Sequence, residues 1–157
     1  MGCSQRTSVG TAILVDRSIA SLVKDSGILI EGRAQFITLQ FPDNDSLTIV
    51  NIYVARSSND RAPIWKKIHE AEFTLEHVIL GGDFNHLEET IRRGTSSERQ
   101  MQRKEIASWH HMTLRYGVTD AWSLDSFRKM SKKDYTFDNG RSRANSAISR
   151  IDKFLVS

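Results

Sequence analysis

The sequence predicts a mixed α/β protein. Three observations carry that prediction. Two runs alternate with period two around a turn-rich tetrapeptide, two stretches show helical spacing, and a short apolar run ends in paired glycines. Strands interleaved with helices, with one clear hairpin among them, imply helices packed on a mixed sheet.

Each element follows from its local pattern. Ser8 to Val15 reads as a short apolar strand, with Ala12-Ile13-Leu14-Val15 expected to be buried on both faces. From Ala34 to Phe41, Ile37, Leu39 and Phe41 fall on one side and Phe36, Thr38 and Gln40 on the other. Pro42-Asp43-Asn44-Asp45 is turn chemistry, and Leu47 to Val54 resumes a strand, so the pair reads as a β-hairpin. Asp60 is a candidate N-cap for a helix whose apolar stripe is Ile64, Trp65, Ile68 and Ala71. His77-Val78-Ile79-Leu80 is a short buried strand ending in Gly81-Gly82. Ser97 to Tyr116 reads as the longest helix, with a Ser97/Gln100 capping box, Met101, Trp109 and Met112 on its apolar face, and Gly117 as its stop. Tyr135-Thr136-Phe137 and Ile151 to Val156 read as the last strands.

The 157 residues, 39% hydrophobic and 26% charged, are enough for one folded domain with a real core. No repeat, low-complexity tract or linker divides residues 1–157, and no stretch reaches the ~20 apolar residues of a membrane span. The start lacks the apolar run of a secretory signal. Met1-Gly2-Cys3 resembles the opening of an acylation signal, but Arg6 stands where Ser or Thr is preferred. The single cysteine, Cys3, excludes an internal disulfide framework, so an intracellular setting, nuclear or cytoplasmic, is expected. Residues 1–89 hold 8 Lys/Arg against 12 Asp/Glu, whereas residues 90–157 hold 14 against 7. The basic half suits a phosphate-backbone partner, with Arg92, Arg93, Arg128, Lys129, Lys132 and Lys133 as candidate contacts, or is an ordinary solvated surface.

The most informative segment is Val78-Ile79-Leu80-Gly81-Gly82-Asp83-Phe84-Asn85. If the chain stays extended past the glycines, Asp83 and Asn85 project from one face and Phe84 from the other. The missing Cβ atoms of Gly81 and Gly82 let a ligand or another backbone come close. A carboxylate there can accept a proton from water or hold a hard cation, and an amide can orient that water or donate to a phosphoryl oxygen. The alternative is an Asx-type turn in which both side chains bond local backbone.

In chain order, further segments accompany this one. Gly81-Gly82-Asp83-Phe84-Asn85 resembles the signature of the endonuclease/exonuclease/phosphatase superfamily. Val9 to Val15 resembles its "GVAILV" strand, Asn51-Ile52-Tyr53 its Asn-x-Tyr strand end, and Val118-Thr119-Asp120-Ala121-Trp122 its "L-x-D-x-W". Tyr135-Thr136-Phe137 with Ser149-Arg150-Ile151-Asp152-Lys153 resembles its "YTF…SRID" block, most like the endonuclease domains of non-LTR retrotransposon polyproteins.

The resemblance implies a DNase I-like α/β sandwich and a phosphodiester hydrolase using Mg2+ or Mn2+, with nucleic acid, DNA before RNA, as partner. It implies that Asp83 activates the attacking water and touches the metal, that Asn85 and Tyr53 hydrogen-bond the phosphate region, and that Asp152 orients a histidine. Tyr53-Val54-Ala55-Arg56 departs from the family's "Y-x-P-N". The family's metal-binding glutamate lies upstream of the "GVAILV" strand, yet Met1 to Gly10 holds no Asp or Glu. Its terminal Asp-His pair lies beyond "SRID", yet His69, His77, His86, His110 and His111 all precede Asp152. His86 reads as a loop residue, and His110 and His111 as helix-surface residues. The expectation is therefore a partial domain without its first and last strands, inactive alone, marginally stable and prone to self-association through exposed edges. The competing expectations are a non-catalytic retroelement remnant or weak nucleic-acid-binding module, and a phosphatase or lipid phosphodiesterase of the same superfamily.

Overall fold

The structure, a computed structural model, describes residues 10–73, 76–86, 101–124, 137–138, 148–149 and 151–157. Its centre is a six-stranded sheet. The elements run β1 (Val23–Ile30), β2 (Ala34–Gln40), β3 (Ser46–Tyr53), α1 (Ser58–His69), β4 (His77–Asp83), α2 (Arg103–Tyr116), β5 (Thr119–Asp120), β6 (Phe137–Asp138), β7 (Ile148–Ser149) and β8 (Asp152–Val156). The sheet order is β1-β2-β3-β4-β8-β5, and β6 pairs with β7 separately. Only β3 and β4 are parallel, joined through α1 as a βαβ unit. The other neighbours are antiparallel.

The β2–β3 hairpin forms as its alternation predicts. Its registers run from Ala34 opposite Ile52 to Gln40 opposite Ser46. Asn44 turns the chain in the left-handed region at φ 71°, which asparagine tolerates. β1, antiparallel to β2, was not visible in the sequence. Lys24, Asp25, Ser26 and Gly27 are weak strand formers, and the pairing shifts register at both ends of the strand. Partnership with the strongly patterned β2 decides that segment.

Two elements start elsewhere than expected. α1 has Ser57 at its N-cap position, without a side-chain cap bond, so Asp60 lies in its first turn, where a carboxylate complements the helix dipole. α2 begins at Arg103, and the Ser97/Gln100 capping box lies outside the described residues. Its stop is where the sequence puts it, since Gly117 takes the left-handed conformation at φ 61°. The apolar segment Gly10 to Val15 belongs to no sheet among the described residues, and Leu14 is 95% exposed. This corrects the expectation of a strand buried on both faces. Thr11, Ile13 and Val15 are half-buried while Ala12 and Leu14 face out, an extended alternation without a ladder. The Asn51 side chain donates to the Ala12 carbonyl at 2.9 Å.

The core lies between one sheet face and the two helices. Val50, Ile52, Val78, Leu80 and Leu155 on the sheet meet Ile64, Trp65 and Ile68 from α1 and Trp109, Met112 and Tyr116 from α2. Each fully buried aliphatic side chain contributes about 1.5–3 kcal/mol relative to exposure. Among the described residues, no helix is long and apolar enough to cross a membrane.

Candidate active site at the strand ends

β4 carries Asp83 to the end of the sheet because Gly82 lets it run tight against β3. Gly82 sits at φ 134°, and a Cβ there would lie 2.0 Å from the Ile52 carbonyl oxygen. The close approach expected of the glycines is thus made by backbone, while Gly81 lies under the Phe154 ring. Asp83 is the register partner of Tyr53 on β3 and of Asp152 on β8. Paired residues on neighbouring strands share a face, with Cα atoms about 5 Å apart. Three candidate residues distant in sequence thus form one row. Tyr53 is 38% exposed, Asp152 is exposed and Asp83 is half-buried.

Asn85 reaches the row by a turn. Strand alternation stops at Asp83, and Asn85 takes φ 47° in the left-handed region. This corrects the extended geometry expected for the pair. The Asn85 backbone N–H donates to Asp83 Oδ1 at 2.9 Å, and its Nδ2 donates to Asp83 Oδ2 at 3.0 Å and to the Val54 carbonyl at 3.0 Å. The Asx-turn alternative is therefore the one realised. Asn85 is only 4% exposed, and both hydrogens of its amide are engaged inside the protein. Phe84 points into the core, fully buried against Trp65 and Trp109, and its N–H donates to Ile151 at 2.8 Å.

The loops around the row are tied to the helices by a cluster that sequence reasoning missed. Arg61 and Glu105 form a salt bridge with both side chains fully buried. Arg61 Nε donates to Glu105 Oε1 at 2.5 Å and Nη2 to Oε2 at 2.8 Å, while Nη1 donates to the carbonyls of Arg56 and Asn85, the latter at 2.9 Å. Ser58 Oγ and Trp65 Nε1 also donate to the Glu105 carboxylate, at 2.5 and 3.1 Å. A sequence signal existed. Arg61 falls on the stripe of Ile64, Trp65 and Ile68, and Glu105 on the stripe of Trp109, Met112 and Tyr116. A charge on the buried stripe of each of two helices is the pattern of a buried pair.

Other residues are placed as follows. The Arg33 guanidinium lies over the Tyr53 ring, 5.2 Å from its centroid. His86 is fully buried between Trp65 and Trp109, with Nε2 3.3 Å from Lys153 Nζ. His110 and His111 are exposed on α2. Arg92, Arg93, Arg128, Lys129, Lys132, Lys133, Tyr135, Thr136 and Arg150 lie outside the described residues.

Asp83 and Asp152 offer two hard oxygen donors side by side. Such a pair fits a hydrated divalent cation, since Mg2+ takes one or two carboxylates and keeps several waters. It does not make a closed cage. Among the described residues, no group of three or more His, Cys, Asp or Glu side chains is placed to hold a metal ion.

Solved structures with the same arrangement of strands and helices include an AP endonuclease from Archaeoglobus fulgidus, at a TM-score of 0.52 and 13% identity, matched over 80% of this chain and 52% of that one. The 3′ phosphatase NExo from Neisseria, bound to a product DNA hairpin, matches at a TM-score of 0.53 and 15% identity over 86% of this chain and 58% of that one. The chain has a DNase I-like fold. An endonuclease/exonuclease/phosphatase family protein from Leptotrichia buccalis matches at a TM-score of 0.46 and 16% identity over 78% of this chain and 41% of that one. This chain spans about half the length of these structures. No protein-family model and no curated protein matches the sequence.

In this chain the ends of β3, β4 and β8 carry the row, and the tight β3–β4 contact at Gly82 keeps Tyr53 and Asp83 abreast.

Proposed function

We propose that this chain carries the water-activating part of a divalent-metal-dependent phosphodiester hydrolase, endonuclease-like and acting on nucleic acid, with DNA preferred over RNA. The observation that supports it best is the row Tyr53, Asp83, Asp152 across three adjacent strands, with Asn85 bonded to both oxygens of Asp83. A carboxylate oriented by two N–H donors can accept a proton from an attacking water in a fixed direction. The Tyr53 hydroxyl, partly exposed beside it, donates to a phosphate oxygen. Asn85 acts chiefly by holding Asp83, because its own amide hydrogens are already engaged. Asp152 is the carboxylate that would accept the N–H of a catalytic histidine and fix its tautomer. Asp83 would be the ligand of Mg2+ or Mn2+, which, when bound, offers positive charge to the phosphoryl oxygens.

These 157 residues hold no acid in Met1 to Gly10 and no histidine after His111, so we expect no cutting by this chain alone. The Tyr135-Thr136-Phe137 and Ser149-Arg150-Ile151-Asp152 block supports a retroelement-type endonuclease as the branch, and the single cysteine supports an intracellular setting.

Mn2+ titration in the presence of a short DNA duplex tests the site. Paramagnetic broadening is expected to centre on Asp83, Asp152 and Tyr53 and to vanish in Asp83→Asn. Broadening confined to other acidic residues would end the reading. A plasmid-nicking assay with Mg2+ tests the incompleteness separately, since metal-dependent nicking abolished by Asp83→Ala would show that the chain suffices by itself.

A further inference from the structure

We propose that the buried Arg61–Glu105 pair is a positioning device that sets the Asp83–Asn85 turn, beyond any role as a strut between α1 and α2. Its consequence for catalysis rests on the hydrolase reading above, but the geometry does not.

Two charges taken fully out of water are expensive, and an apolar pair of similar volume would hold two helices together as well or better. A buried pair therefore calls for a task that apolar groups cannot do. The guanidinium is a rigid planar fork with five N–H donors. One edge of it is spent on Glu105, by Nε and Nη2. Nη1 is directed away from the helices, to the carbonyls of Arg56 and Asn85. Arg56 lies in the loop that leaves the end of β3, three residues after Tyr53, and Asn85 in the loop that leaves the end of β4, two residues after Asp83. One nitrogen thus ties together the two loops that follow the two halves of the site.

The turn is held from two sides. Asn85 sits at φ 47°, in the left-handed region that asparagine tolerates better than most residues with a Cβ. Its N–H and Nδ2 bonds to Asp83 and Val54 hold one side, and Arg61 holds its carbonyl. Without Arg61 that carbonyl would be buried with its donor gone. Glu105 in turn fixes the plane of the fork, because Ser58 and Trp65 hold both of its oxygens. The chain of contact runs from α2 through Glu105, Arg61 and Asn85 to the carboxylate of Asp83. Arg61 and Glu105 are positioning residues, since neither would touch substrate.

The test compares Arg61→Lys, and the double variant Arg61→Met with Glu105→Leu, against the unmutated chain. Two quantities are read: the melting temperature and the hydrogen-exchange protection of the Asn85 side-chain amide by NMR. In the unmutated chain the Asn85 amide hydrogens are expected to exchange at least 100-fold more slowly than exposed asparagine amides. Exchange at the exposed rate would overturn the proposal even if every variant failed to fold. In the double variant the melting temperature is expected to equal or exceed that of the parent, while Asn85 protection falls at least tenfold. In Arg61→Lys, which keeps the charge but loses the fork, protection is expected to fall by a similar factor with the fold retained. If the double variant or Arg61→Lys recovers full Asn85 protection, the pair is only a strut and the proposal fails. Neither readout involves metal or cleavage, so failure here would leave the hydrolase reading standing, and failure of the Mn2+ experiment would leave this inference standing.

Discussion

The two faces of the six-stranded sheet differ in their side chains and in their surroundings. Under α1 and α2, Val50, Ile52, Val78, Leu80 and Leu155 are at most 1% exposed. On the opposite face one cross-strand row runs Ile28, Gln35, Asn51, Gly81, Phe154, and its outer members Ile28 and Phe154 are 65% and 64% exposed. Tyr53, Asp83 and Asp152 form the next row on that open face. That face is bare only in part, since Ile37 and Leu39 on it are 9% and 5% exposed and Asn51 bonds the Ala12 carbonyl. Asn85, buried and bonded to Arg61, links this candidate row to the covered half.

The largest losses are expected on the covered face. Trp65→Ala removes a fully buried ring stacked on Phe84 and against Trp109, and is expected to cost about 3–5 kcal/mol, measured by urea unfolding. Arg61→Ala with Glu105 intact leaves an uncompensated buried carboxylate and should cost a similar ~3–5 kcal/mol. A melting temperature unchanged in either variant would contradict the described core. Gly82→Ala tests the junction of the faces. Its positive φ and the closeness of the Ile52 carbonyl predict a loss of about 2 kcal/mol, with β3 and β4 amides near Tyr53 and Asp83 the first to lose protection.

Smaller effects belong to the open face and the periphery. Phe154→Ser should change unfolding free energy by no more than about 0.5 kcal/mol, while reducing any self-association seen by sedimentation. A large loss of stability would show that the face is covered after all. At the rim, Ser46 holds the Glu76 carboxyl below its ordinary range through its hydroxyl and its N–H. A depressed carboxylate stabilises the fold at pH values above its unfolded range, and that contribution fades as pH falls through its folded value. Glu76→Gln should therefore lower the melting temperature slightly at neutral pH and leave it unchanged in strong acid. The exposed Lys66–Glu70 pair on α1 should matter least, about 0.3 kcal/mol by double-mutant cycle.

Much of this was legible locally. The β2–β3 hairpin is written in alternation and in Asn44, the end of α2 in Gly117, and the candidate site in the run from Gly81 to Asn85. β1 was not, because Lys24 to Gly27 have no strand preference and only pairing with β2 holds them extended. The turn at Asn85 was not, because alternation says nothing about where a strand stops. Arg61 and Glu105 sat in plain view on two apolar stripes, but periodicity alone does not say that two charges on different helices meet. For Gly10 to Val15 the pattern was extended as read, but a strand also needs a partner, and none of the described strands pairs with it.

By itself the sequence determined which segments favour strand or helix and that an acid and an amide follow a strand ending in glycines, since these depend on neighbours a few residues away. Only the tertiary structure decided that Tyr53, Asp83 and Asp152 stand abreast. Strand register is set by which distant segments pair, and one step of slippage would have turned Asp83 to the opposite face.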